Sequence, residues 1–292
     1  MKVLWLQAVT CNGNSHSFLN APDLEGLLER FDFLYHPLLP GRYTLAEVAR
    51  KELDVDLLIV EGALTKKGCP RGGTEAFELV RRYAERAKHL ICVGNCASFG
   101  GIFRQRDPRS IRGLLFAGEE GSGWMEEFRN KTVNLPGCPI HPQWLVLTLE
   151  ALRKGVPLPL DEWRRPVELY GYTVHEGCLR NEYFEWKVDA AGFGRKEGCL
   201  FYEQGCRGPF TRGSCNKILW NGVNSKTRAG MPCIGCTEPD FPASGLFRTE
   251  TLMSIPARLP LEVPKRAYLT LTGVAKAFTI PRLSRKKFGN GK

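Results

Sequence analysis

The residues with chemistry to offer are cysteines, and their spacing sorts them. Cys11, Cys96 and Cys138 each follow an apolar run and stand beside glycine, in Cys11-Asn12-Gly13-Asn14, Gly94-Asn95-Cys96 and Pro136-Gly137-Cys138-Pro139. His175-Glu176-Gly177-Cys178 has ligand spacing, and Gly198-Cys199 with Gly205-Cys206 adds two thiolates. Cys215 and Cys233-Ile234-Gly235-Cys236 form a third set. Cys69 and Cys92 alone, of eleven cysteines, fall outside. Thiolate and imidazole donors in sets of three or four suit iron–sulfur clusters, and three such sets in one chain suit electron transfer.

Each set has its own chemistry. The first has three clear ligands, because Asn14 stands three residues after Cys11, where a second cysteine would complete a four-thiolate site. Cys69, in the loop that starts at Glu61, is the candidate fourth ligand; the alternatives are a three-iron cluster or an oxygen ligand. In the second set, imidazole in place of one thiolate makes a cluster less negative and raises its potential, which suits an exposed terminal position. In the third, Cys233-x-x-Cys236 alone would serve structural zinc as readily. Zinc wants four ligands, however, and no unclaimed cysteine or histidine lies near. Ser225 stands where a fourth thiolate would fall, so a three-iron cluster is expected.

Composition narrows the setting. The chain has 292 residues, 43% hydrophobic and 25% charged, as in ordinary soluble proteins. It shows no apolar run of about eighteen residues, so no membrane span is expected. With no export signal recognisable, the cytoplasm is the expected location, where an odd number of cysteines is poorly explained by disulfides. The net charge is +10, and Arg282, Arg285, Lys286, Lys287 and Lys292 form a tail with no acid after Glu262. Such a tail is expected to be solvated, and at most to touch a membrane surface or an acidic partner. Nucleic acid is not an expected partner, since aromatic and basic residues do not interleave in a binding module.

The elements that must position the cysteines are legible in the first half. Val3 to Val9, Val55 to Val60, Leu90 to Val93 and Thr132 to Leu135 read as buried strands. Between them, Asp23 to Arg30 reads as a short helix, and Thr44-Leu45-Ala46-Glu47 as a capping box. Ala76, Leu79, Val80, Tyr83, Ala84 and Ala87 define one helical face, and Pro142 opens a helix closed by Gly155. Alternating strands and helices imply an α/β fold with a parallel sheet. Ligands bind such sheets beyond the carboxyl ends of the strands, where Cys11, Cys96 and Cys138 fall. A boundary is expected near residue 160. Residues 1–160 would carry the first set, and 161–292 would form an irregular domain with the other two and the basic tail. Cys92, inside a strand, is expected to be core.

These residues resemble the small subunit of [NiFe] hydrogenases. The likeness lies in Val60-Glu61-Gly62, in Val93-Gly94-Asn95-Cys96-Ala97-Ser98-Phe99-Gly100-Gly101 and in Asn134-Leu135-Pro136-Gly137-Cys138-Pro139. It continues through His175-Glu176-Gly177-Cys178, Gly198-Cys199-Leu200-Phe201-Tyr202, Gly205-Cys206-Arg207-Gly208-Pro209 and Met231-Pro232-Cys233-Ile234-Gly235-Cys236-Thr237-Glu238-Pro239. The resemblance implies a flavodoxin-like N-terminal domain followed by a cluster-binding domain. It makes Cys11, Cys96 and Cys138 proximal ligands; Cys215, Cys233 and Cys236 ligands of a medial [3Fe-4S] cluster; and His175, Cys178, Cys199 and Cys206 ligands of a distal [4Fe-4S] cluster. Asn14 departs from the pattern and leaves the proximal cluster open between [4Fe-4S] and [3Fe-4S]. The nickel–iron centre would sit in a separate large subunit. The resemblance further implies a quinone or redox protein as acceptor near His175, a higher oligomer of heterodimers, and either H2 uptake or H2 sensing.

Overall fold

Five parallel strands form the centre of the computed structural model, which describes residues 1–242. They are β1 (Lys2–Gln7), β2 (Asp32–Tyr35), β3 (Leu57–Glu61), β4 (His89–Val93) and β5 (Thr132–Leu135), in the order β2-β1-β3-β4-β5. That is the flavodoxin-like doubly wound order. Strand β3 is buried throughout, pairing Leu57–Glu61 with Val3–Gln7 on one side and His89–Val93 on the other. Its side chains alternate between two cores. Leu58 and Val60 meet Leu79, Val80 and Tyr83, while Leu57 and Ile59 share a core with Phe18, Leu27, Trp144 and Leu149.

Helices α1 (Gly13–Leu19), α2 (Leu24–Arg30), α3 (Leu45–Arg50), α4 (Ala76–Arg86), α5 (Gly94–Phe99), α6 (Gly101–Arg106) and α7 (Pro142–Arg153) connect the strands. The Thr44 capping box forms with both of its hydrogen bonds, and Pro142 opens α7. Strand β2 and helices α1 and α5 went unread in the sequence. Each spans four to seven residues, too short for periodicity to register. Strand β1 also stops at Gln7, short of Val9.

Beyond Val156 the chain has only the short helices α8 (Val167–Tyr170) and α9 (Asn181–Glu185) and one 3-10 turn among the described residues. The small core there consists of Val174, Ala190, Leu200, Phe201 and the cysteines 199, 206 and 233. Three of its seven members are thus sulfur donors, so whatever the sulfurs hold stabilises this region. Among the described residues no helix is long and apolar enough to cross a membrane. The expected basic tail lies outside them.

His36 is a buried base that this core makes pH-sensitive. It is 2% exposed, against the rings of Trp5, Phe18 and Phe33, and Nδ1 accepts a 3.1 Å hydrogen bond from the Leu38 N–H. Burial pushes its pKa down to about 4 from 6.5, with Glu61 weakly opposing. Between those values the unfolded chain binds more protons, so stability falls as pH falls, by about 2 kcal/mol near pH 5. The denaturant midpoint is expected to drop between pH 7 and pH 5, and less so in His36→Phe. An undiminished slope in that variant would assign the effect elsewhere.

Candidate cluster-binding sites

The first site forms at the carboxyl ends of the strands. Cys11 follows β1, Cys96 sits in the first turn of α5 after β4, and Cys138 follows β5. Asn14 ties the three segments together. Its Oδ1 accepts from the Ile140 N–H at 2.9 Å, and its Nδ2 donates to the Val93 carbonyl at 3.4 Å. Two glycines make room. Gly94 has φ 82°, and a Cβ there would fall 2.4 Å from the Asn14 Nδ2; Gly101 has φ 51°, and its Cβ would meet the Cys96 sulfur at 2.7 Å. Burial raises the Cys96 thiol to about 12, with Cys138 and Cys11 adding to it; Cys138 is raised to about 11 by burial, then by Cys236 and Cys11.

Cys69 is not brought to this group. It is 6% exposed and packs in the core shared with α4, with Arg71 and Glu75 as its ionisable neighbours. The hairpin of Pro70–Arg71 and Thr74–Glu75 holds it there, and its N–H donates to the Glu75 carboxylate at 3.0 Å. Cys92 is fully buried inside β4.

His175, Cys178, Cys199 and Cys206 line one pocket. Each of its sulfurs accepts from the amide two residues on: Arg180 to Cys178, Phe201 to Cys199 and Gly208 to Cys206, all at 3.4 Å. Amides aimed at sulfur favour the thiolate, the metal-binding form. Burial lowers the His175 pKa, which keeps the imidazole neutral and its lone pair free for a metal. Its ring stands edge-on to Phe184, with centroids 4.4 Å apart. Arg180, missed in the sequence, pins the Cys178 turn onto the Cys199 loop. Its guanidinium donates to the Gly198 carbonyl at 2.6 Å and the Thr227 carbonyl at 2.9 Å.

Cys215, Cys233 and Cys236 line a cavity of about 620 Å³ whose wall also includes Cys138. It therefore borders the first site. Asn95, beside Cys96, reinforces that border by donating to the carbonyls of Cys236 (3.2 Å) and Glu238 (2.8 Å). At the other end the Cys233 N–H donates to the Cys206 sulfur at 3.2 Å. The three sets thus adjoin in the order first, third, second. Among the described residues no three cysteine, histidine or carboxylate side chains converge on a single ion. Sets of thiolates with one imidazole are the donor types that hold iron–sulfur clusters.

Ser225 also lines this cavity. Its hydroxyl is engaged inside the loop, donating to Asn216 Oδ1 and accepting from the Arg228 N–H at 3.3 Å. Lys226 lines the cavity too, with Nζ 4.0 Å from Cys236 Sγ. Cys236 foremost raises its pKa, although the residue itself is exposed and water weakens the effect.

Comparisons with known proteins identify the family. Residues 11–152 match the family "NADH ubiquinone oxidoreductase, 20 Kd subunit", and residues 170–248 match the C-terminal family of the NiFe/NiFeSe hydrogenase small subunit. The periplasmic [NiFe] hydrogenase small subunit of Solidesulfovibrio fructosivorans is 34% identical over 82% of this chain and 78% of that one. The F420 non-reducing hydrogenase II small subunit of Methanosarcina mazei is 31% identical over 82% and 73%. A solved structure of the reduced, active Ni-Fe-Se hydrogenase from Desulfomicrobium baculatum superposes with a TM-score of 0.71 at 32% identity, covering 85% of this chain and 99% of that one. With identity above 30% across most of both chains, and a shared fold, this chain belongs to the [NiFe] hydrogenase small-subunit family.

Proposed function

We propose that this chain is the electron-transfer subunit of an H2-oxidising [NiFe] hydrogenase, paired with a large subunit that holds the nickel–iron centre. The observation that carries the reading is the contiguity of the three donor sets, with Cys138 bordering the cavity of Cys236 and the Cys233 amide on the Cys206 sulfur. Cys11, Cys96 and Cys138 would hold the proximal cluster, Cys215, Cys233 and Cys236 a medial [3Fe-4S] cluster, and His175, Cys178, Cys199 and Cys206 a distal [4Fe-4S] cluster. When bound, these supply one-electron carriers in series between the large subunit and an acceptor. The chain's own contribution is to separate the carriers by fixed loops, aim amides at the sulfurs, and exclude water with Phe184, Phe201 and the Arg180 bridge.

Residues 1–160 would form the proximal half and 161–292 the rest. At the proximal site Cys11, Cys96 and Cys138 would supply three thiolates, with the Asn14 oxygen held by the Ile140 N–H beside them. Leu179 and Trp186 are 68% and 60% exposed beside the distal set and would meet the acceptor, a quinone or a redox protein.

The anaerobically purified complex is expected to contain about ten or eleven irons in this subunit and to show an oxidised three-iron paramagnetic signal. Fewer than about five irons, or no such signal, would refute the reading. Rapid H2 oxidation with a dye acceptor supports uptake; slow turnover points to the sensory role.

A further inference from the structure

We propose that Lys226 is a positioning residue of the third site, closing with its ammonium the corner that no thiolate fills and favouring the reduced state there. This rests on the reading that Cys215, Cys233 and Cys236 hold a three-iron cluster. The loop is built to present this side chain. Ser225 and Thr227, on either side, both donate their hydroxyls to Asn216 Oδ1, the latter at 2.9 Å. Asn216 is anchored in turn through Nδ2 to the Val174 carbonyl at 2.7 Å. Residues 225 to 227 and Asn216 all line the cavity that Cys138, Cys215, Cys233 and Cys236 share, and with both flanking hydroxyls bound to Asn216 it is Lys226 that extends to a sulfur. Its ammonium lies 4.0 Å from the Cys236 sulfur, and the ionisable groups acting on it are those four cysteines. No carboxylate among the described residues is paired with it.

An ammonium has three donors and no lone pair, so it cannot bind a fourth iron. It can donate to sulfur, and its charge opposes the negative charge that one-electron reduction adds. The electron comes from the neighbouring cluster and leaves for the next; Lys226 makes and breaks no bond.

The test is a potentiometric titration of the three-iron signal in the intact complex. Lys226→Gln is expected to shift the midpoint to lower potential, and Lys226→Arg, which keeps the charge, to restore it towards the parent value. Lys226→Cys is expected to add one iron and abolish the three-iron signal, whereas Ser225→Cys leaves that signal in place. An unshifted or raised midpoint in Lys226→Gln overturns the proposal. So does a full three-iron signal in Lys226→Cys, which remains readable if the glutamine variant does not assemble. Absence of the three-iron signal from the parent complex would instead sink the underlying assignment.

Discussion

Glu61→Ala is expected to destabilise the chain by about 3–5 kcal/mol and to disorder the Cys11 loop. The carboxylate is fully buried at the end of β3 and accepts six hydrogen bonds. Trp5 Nε1 (3.0 Å), Gln7 Nε2 (3.1 Å) and Thr10 Oγ1 (3.2 Å) come from the chain before Cys11. The amides of Asn14 (3.0 Å) and Ser15 (3.2 Å), with the Ser15 hydroxyl, come from the chain after it. The acid therefore clamps both flanks of the proximal cysteine. Removing it strands several buried donors at once, each with its own desolvation penalty. Glu61→Gln keeps the shape but turns an NH2 towards donors, and should cost about 2 kcal/mol. Denaturant midpoints with iron analysis measure both effects; an alanine variant within about 1 kcal/mol of the parent contradicts the clamp.

Arg165→Met is expected to cost a comparable 3–5 kcal/mol, for a different reason. Arg165 is 1% exposed and bridges two segments far apart in sequence. Its Nε donates to Asp161 at 2.8 Å, and Nη1 reaches the Thr237 carbonyl at 3.2 Å and Glu238 at 3.4 Å, next to Cys236. Burial raises the Glu238 pKa, and Arg165 is the strongest influence holding it down. Without the guanidinium the folded chain takes up a proton at Glu238 more readily than the unfolded chain does. The variant's deficit should therefore shrink as pH falls towards the glutamate range. Arg165→Met with Glu238→Gln should recover part of the loss, because no buried charge is then left at position 238. Additive losses in the double variant would show that the two residues are not coupled.

Much of the site was legible without coordinates because cysteine is chemically unmistakable. The pairing of His175 with Cys178, and Cys233-x-x-Cys236, carry their meaning in spacing alone. Long apolar runs such as β3 and the helical face of α4 likewise declare their period, so the parallel sheet followed from them. What escaped was polar or short. Glu61 reads as the first residue of a loop after a strand until α1 folds its amides over it. Cys69 reads as a spare thiol beyond a strand until a hairpin turns it into the core.

The loop from Cys215 to Cys233 shows the limit most clearly. It lacks a repeating period, so only Asn216, by engaging the hydroxyls of residues 225 and 227, leaves Lys226 as the side chain that extends to a sulfur. Residue type and local spacing determined by themselves that this chain gathers sulfur in three sets on an α/β frame, since donor chemistry and hydrophobic period are local properties. Tertiary structure alone decided which sets adjoin and which side chains seal them. Those outcomes depend on hydrogen bonds between residues tens to more than a hundred positions apart, such as Asn95 to Cys236, and no local pattern encodes them.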